Sequence, residues 1–179
     1  IERYQNLIMT HAEIVKEFFE LHVPGNKIND VYKLYRYTKI YRRCVVEQNL
    51  KYLQKEIRVF EDNNFVIPCL LDASSISYVG KPLYHYVRRS DSTMGVFKEE
   101  TLASNEKFLD NLRRIYQEKG IPHIFDSDAF VTTAFSINGI LLSDASWKKK
   151  ILQLQRLSKS IRQYDLSFKK CCTFGASYK

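Results

Sequence analysis

Apolar residues recur at helical spacing through the first twenty positions, at Leu7, Ile8, Ile14, Val15, Phe18 and Phe19. The pattern predicts one or two amphipathic helices over residues 2–22, stopped by Pro24-Gly25-Asn26. Asn29 or Asp30 can cap a second helix over 31–44, because a side-chain oxygen there accepts from the first free backbone amides. Residues 45–59 continue as helix or turn. Glu61-Asp62-Asn63 then has the makings of a helix N-terminus, where a carboxylate meets unpaired amides and the positive end of the dipole. Phe65, Val66, Cys69, Leu70 and Ala73 form its buried stripe, and Pro68 predicts a kink or a short first turn.

From Ser75 to Arg88 the composition turns β-prone, with Ile76, Tyr78, Val79, Tyr84, Tyr86 and Val87 interrupted by Gly80-Lys81-Pro82. Two short strands around a turn, or one bent strand, fit this pattern. Arg88 to Thr93 is polar enough to be a loop. Beyond it, residues 99–119 read as a periodic helix with Leu102, Phe108, Leu109, Leu112 and Ile115 on its apolar side, ended by Gly120 and Pro122. Asp126 or Ser127 caps a helix over 129–142, apolar nearly all round and so expected at the centre of a bundle. Ser143 or Asp144 caps the last helix, 147–164, with Ile151, Leu154, Leu157 and Ile161 on one side and six basic residues largely around the other. The expected fold class is α+β, predominantly helical.

Composition narrows the class. With 45% hydrophobic residues and only four Pro and six Gly among 179, the chain can bury a core. No apolar run reaches the roughly 20 residues that span a bilayer, and the N-terminus lacks a secretion-signal pattern. Ile1 in place of Met points to an excised or processed piece. Cys44, Cys69, Cys171 and Cys172 have neither a disulfide-framework spacing nor a CxxC pair, and only four His are present, so reduced thiols are expected and no zinc site. A net charge of +8 favours an anionic partner without choosing among nucleic acid, anionic lipid and a diphosphate.

Three stretches carry candidate chemistry. Residues 31–43 interleave Tyr32, Tyr35, Tyr37 and Tyr41 with Lys33, Arg36, Lys39, Arg42 and Arg43. Such a stretch can stack on nucleic-acid bases, line a sugar cleft, or be a helix with a tyrosine face in the core and a solvated basic face. The basic helix that begins at Trp147 can lie on an anionic membrane or dock on the two helices before it. Glu61-Asp62 can cap a helix or supply a general base, and Arg88-Arg89 can be an ordinary basic strand end or a phosphate clamp.

Three blocks occur in a familiar order: Lys33-Leu34-Tyr35-Arg36 followed by Asn49-Leu50-Lys51-Tyr52; Glu61-Asp62 followed by Phe65; and Pro82-Leu83-Tyr84-His85-Tyr86-Val87-Arg88-Arg89 with Ser90 and Ser92. Together they resemble the inverting family 2 glycosyltransferases of bacterial surface-polysaccharide synthesis, which have the GT-A fold. The likeness covers residues 28–94. The family's N-terminal nucleotide-binding half has no counterpart here, and the one DxD spelling, Asp126-Ser127-Asp128, follows the acidic motif instead of preceding it. Val31-Tyr32 stands where Trp-Asn is common, and Phe60 where a small residue is common.

The resemblance implies residues 1–95 as the C-terminal part of a GT-A domain and 96–179 as a helical extension. It implies Asp62 as catalytic base, with Glu61 holding an acceptor hydroxyl or orienting the loop. Arg88, Arg89, Ser90, Ser92, Tyr86 and His85 would bind the nucleotide diphosphate, and Lys33 and Tyr35 the substrate. Mg²⁺ or Mn²⁺ would bridge the diphosphate in the intact enzyme, mainly through residues absent from this chain, which supplies no metal ligand of its own. The implied partners are a nucleotide-sugar donor and a glycan or lipid-linked acceptor, with no nucleic acid; the implied setting is cytoplasmic, at the inner face of the membrane. Peripheral membrane contact and oligomerisation through the C-terminal helices stay open, and the piece alone is expected to be inactive. The alternative is a non-enzymatic basic helical module that binds nucleic acid or an anionic membrane surface.

Overall fold

A computed structural model describes residues 8–20, 35–79, 81, 83–85, 87 and 99–164, which are mostly helical with one small sheet. Strand β1 (Ile8–Thr10) pairs antiparallel with β2 (Ser75–Ser77), Met9 lying opposite Ile76. Residues expected to be helical from position 2 are therefore strand at 8–10. Thr10 marks the change: its hydroxyl accepts from the Glu13 amide while Glu13 accepts from the Thr10 amide, a reciprocal cap that starts helix α1 (His11–Val15). A π-helical turn, Lys16–Glu20, carries α1 onward and puts Phe18 and Phe19 beside Ile14 in the core.

The helix expected over 31–44 does not form in its described part. A 3₁₀ turn, Arg36–Thr38, gives way to extended backbone, and α2 begins only at Arg43 and ends at Asn49. Exposure alternates through this stretch: Tyr37, Lys39 and Tyr41 are half-buried, while Arg36, Thr38, Ile40 and Arg42 face solvent. That period of two belongs to extended chain. After a second 3₁₀ turn, Leu50–Tyr52, the chain reaches α3 (Glu61–Asp72), which continues through the buried Pro68. Its buried face is broader than the predicted stripe, since Asn64, Ile67 and Leu71 join Val66, Cys69 and Leu70 while Phe65 and Ala73 are only half-buried. Of the β-prone stretch 75–88, only β2 is strand among the described residues.

Helices α4 (Glu99–Glu118), α5 (Phe125–Leu142) and α6 (Trp147–Arg162) follow. The predicted apolar side of α4 is buried throughout: Leu102, Phe108, Leu109, Leu112 and Ile115. Gly120 ends this region at φ 75°, in the left-handed region where glycine carries no Cβ penalty. α5 starts four residues earlier than its expected body, without a side-chain cap, so Asp126 and Asp128 lie in its first turn, and Asp128 accepts a hydrogen bond from the buried Tyr116 hydroxyl. Nor is α5 enclosed as its composition predicts, because Phe130, Phe135, Ile137, Leu141 and Leu142 are exposed. Ser146, in place of Ser143 or Asp144, caps α6, and Ile151 is exposed instead of buried.

One hydrophobic cluster joins Ile14, Phe18, Tyr52, Val66, Leu70, Phe108, Leu112, Ile115 and Ala129, so α1, α3, α4 and the start of α5 share a core. A polar knot ties the same layers together. The Asn111 side chain donates to the Tyr52 carbonyl at 2.8 Å and to the Asn64 side chain, while Asn64 donates to the Tyr52 carbonyl at 2.9 Å. Buried amides satisfied in this way fix the register of α3 on α4 and hold the N-terminal turns of α3 in place.

Candidate functional site

The site is built around the first turn of α3. Phe60, just before it, has φ 64° and ψ 21°, a left-handed conformation that costs a non-glycine residue about 1–2 kcal/mol. Its packing supplies the compensation. The ring stacks on Phe108 with centroids 5.1 Å apart and meets Phe135 edge-on at 5.3 Å. The backbone conformation accounts for why a small residue suits this position and for what Phe60 needs in order to occupy it. With that turn fixed, Glu61 faces solvent and Asp62 turns toward the extended stretch 35–42.

Asp62 does not cap its helix; its side chain is 21% exposed, with Oδ1 enclosed. Arg36 Nε lies 2.9 Å from Asp62 Oδ1, but its N–H is not aligned for a hydrogen bond, so the pair is an ionic contact and Oδ1 takes no hydrogen bond. The guanidinium opposite Asp62 is thus that of Arg36, a residue the sequence argument gave no part in the chemistry. Lys39 sits in the same cluster, its Nζ donating to the Tyr35 carbonyl at 2.7 Å and the Thr38 hydroxyl at 3.1 Å. Burial pulls its pKa down to about 8, against the opposing pull of the Asp62 charge. The Tyr41 hydroxyl is enclosed without a hydrogen-bond partner, and its ring meets Phe65 edge-on at 5.1 Å. Burial, then the neighbouring Cys69 and Asp62, push the Tyr41 pKa up, so this phenol stays protonated as a donor.

An aromatic platform adjoins the cluster. Tyr37 stacks on Tyr84 at 4.6 Å and 28°, and Tyr35 leans on Tyr37 at 5.2 Å. The stretch around Tyr84, which contains the exposed His85, is thereby brought against residues 35–41. Of the residues singled out in the sequence, Asp62, Glu61, Tyr35 and His85 fall within the described residues. Lys33, Tyr86, Arg88, Arg89, Ser90 and Ser92 lie outside them. Arg36, Tyr37, Lys39, Tyr41 and Tyr84 were missed as site residues. The alternation of Tyr35, Tyr37, Lys39 and Tyr41 at every second position was the signal that could have placed the last three of the four on one side of an extended chain.

A cleft of about 450 Å³ lies at the other end of α3, lined by His11, Lys16, Leu71 and Lys119 among others. Leu71 is about 14 Å along the helix from Asp62 at 1.5 Å per residue, so this cleft is separate from the acidic turn. The Lys119 ammonium there pairs with Asp72 at 2.5 Å. Among the described residues no three His, Cys, Asp or Glu side chains are grouped so as to hold a metal ion. No helix among them is long and apolar enough to cross a membrane.

The depressed Lys39 pKa has a measurable consequence. Its pKa in the fold lies below the ordinary lysine value of about 10.4, so between pH 8 and that value the unfolded chain binds more protons than the folded one. Lys39 therefore disfavours folding below pH 8, and that penalty is lifted as pH rises through the window. Urea midpoints measured across it should rise more steeply for the native chain than for Lys39→Gln, and a ¹³C-methylated lysine signal missing from the variant should titrate near 8. A Lys39 signal titrating with the bulk lysines would contradict the packing described here.

No family model matches the chain, and no match was found among curated proteins or solved structures.

Proposed function

We propose that this chain carries the base and acceptor side of an inverting, nucleotide-sugar-dependent glycosyltransferase of the GT-A class acting in surface-polysaccharide or other glycan synthesis. The observation that carries the proposal is the convergence of Tyr84, the Tyr35–Tyr41 stretch and Asp62, segments distant in sequence, around a carboxylate not used as a helix cap. In this reading Asp62 takes the proton of the acceptor hydroxyl as its oxygen attacks the anomeric carbon. The bond from that carbon to the nucleoside diphosphate breaks, and the diphosphate leaves with the electron pair. Arg36 holds the inner carboxylate oxygen in place, and the tyrosine platform packs against a pyranose face. Arg88, Arg89, Ser90, Ser92, Tyr86 and His85 remain the proposed diphosphate contacts, and Lys33 a substrate contact. Mg²⁺ or Mn²⁺, when bound, would supply charge neutralisation for the leaving diphosphate.

The test is release of nucleoside diphosphate from a panel of nucleotide sugars by the protein, with and without oligosaccharide acceptors. Turnover of a donor that rises with acceptor supports the reading; no turnover of any donor counts against it. The second reading, a basic module for nucleic acid, is favoured by the tyrosines interleaved with Arg36 and Lys39 and by the all-basic charge of α6. It predicts oligonucleotide affinity that falls steeply with salt.

A further inference from the structure

The turn between α5 and α6 presents apolar side chains that the rest of the fold leaves uncovered. Leu142, which ends α5, is 76% exposed, and Trp147, which begins α6, is 70% exposed. Ile151 and Leu152, one turn further along α6, are 52% and 57% exposed. On α5, Ile137 and Leu141, one turn apart, are exposed as well. Lys150 fixes the geometry of the tip. Its Nζ donates to the Leu141 carbonyl at 2.8 Å and lies 5.1 Å from the centre of the Trp147 ring, which holds the indole beside the C-terminal end of α5.

The charge on α6 has one sign. α6 contains Lys148, Lys149, Lys150, Arg156, Lys159 and Arg162 and no acidic residue. Lys148 and Lys149 are exposed beside Trp147. Among the described residues, Asp144 is exposed in the connecting turn, and Arg156 faces Glu106 at 3.6 Å. The opposite edge of α6, at Gln153 and Leu157, packs inward, with Leu154 and Ile161 half-buried beside it. The helix is thus anchored to the fold along one edge and presents the lysines and large apolar groups along another.

That combination discriminates among occupants. A second copy of the chain would bring one lysine cluster against another. Nucleic acid would satisfy the lysines but leave Leu142, Ile151 and Leu152 in water. An anionic bilayer offers phosphates for the ammonium groups and, about 5–10 Å deeper, an apolar boundary for the indole and the aliphatic side chains. We infer that the α5–α6 tip docks this protein on an anionic phospholipid surface, Trp147 and Leu142 entering the headgroup–acyl boundary and Lys148 and Lys149 meeting lipid phosphates. The surface uses none of the residues around Asp62, so it stands or falls independently of sugar transfer.

Trp147 is the sole tryptophan of the chain and serves as the probe. The protein is mixed with vesicles of phosphatidylcholine alone and of phosphatidylcholine with phosphatidylglycerol, and sedimentation and Trp147 emission are followed. Expected are co-sedimentation with the anionic vesicles only, a blue shift of the emission, and weakening with salt. Each lysine near an anionic surface is worth about fivefold in partitioning, so Lys148→Gln with Lys149→Gln should cost about 25-fold. Leu142→Asp, an exposed position, should cost at least about tenfold with the helical circular dichroism unchanged. The inference is overturned by equal or absent binding to the two vesicle types, by binding that leaves Trp147 emission and both variants unaffected, by an emission shift produced by oligonucleotide and not by vesicles, or by lipid-free self-association that Leu142→Asp abolishes.

Discussion

Asp62→Asn is expected, on the proposed reading, to lower sugar transfer by about 10²- to 10⁴-fold, the usual worth of a positioned general base, while leaving the fold nearly as stable as before. The two halves of this expectation come from the same geometry. Arg36 and Asp62 form an ion pair whose cationic side is 59% exposed, and such pairs contribute about 0–1 kcal/mol because solvent screens them. Asparagine keeps the shape of the side chain and removes its capacity to take a proton. A purely structural aspartate would give the opposite result, a modest loss of stability with transfer intact. Measuring the thermal midpoint and the nucleoside diphosphate release rate on the same preparation separates the two. Glu61→Gln provides the contrast, since Glu61 faces solvent and is expected to affect acceptor affinity more than turnover.

Phe108→Ala should destabilise the protein by about 3–5 kcal/mol, the range for emptying an aromatic site in a packed core. Phe108 is buried at the middle of α4 and belongs to the main hydrophobic cluster. At this chain length each kcal/mol moves the melting temperature by about 2–4 °C, so a drop of about 10 °C is expected. Phe108→Leu should recover much of it by refilling the volume. The change also removes the stacking partner of Phe60, whose left-handed backbone depends on packing for its compensation. Residual transfer activity should therefore fall below what the lost stability alone explains. A shift under about 2 °C would show that the site collapses around the deleted ring and that the stack does little.

How much of this was legible in the sequence depended on the length and regularity of each pattern. α4 and α6 were legible because apolar residues repeat over about three turns or more and glycine follows the end of α4, although the cap of α6 falls at Ser146 instead of Ser143 or Asp144. α3 was legible from its paired acids, and the α+β, mainly helical class followed from these elements. The three-residue strands were not, since Ile8–Thr10 lies within an apparently helical repeat and its partner is 65 positions away at the closest pairing, a distance no local window spans. The stretch 35–42 misled because tyrosine and basic residues fit a helix face as well as an extended edge, and tertiary contact with α3 and Tyr84 decided the matter. Of the candidate site, Glu61 and Asp62 were singled out in the sequence as an acidic pair at a helix start, and that is where they lie. Arg36 and Lys39 were visible only as charges, because their role rests on facing a carboxylate that comes more than twenty residues later.

The stack of Phe60 on Phe108, with Phe135 at its edge, ties the acidic turn to the body of α4 and α5. Heat or denaturant cannot strip those helices away and leave Asp62 seated. Spectroscopic probes placed on either side of that aromatic contact should trace a single sigmoidal curve, so whatever loosens the bundle unseats that carboxylate in the same step.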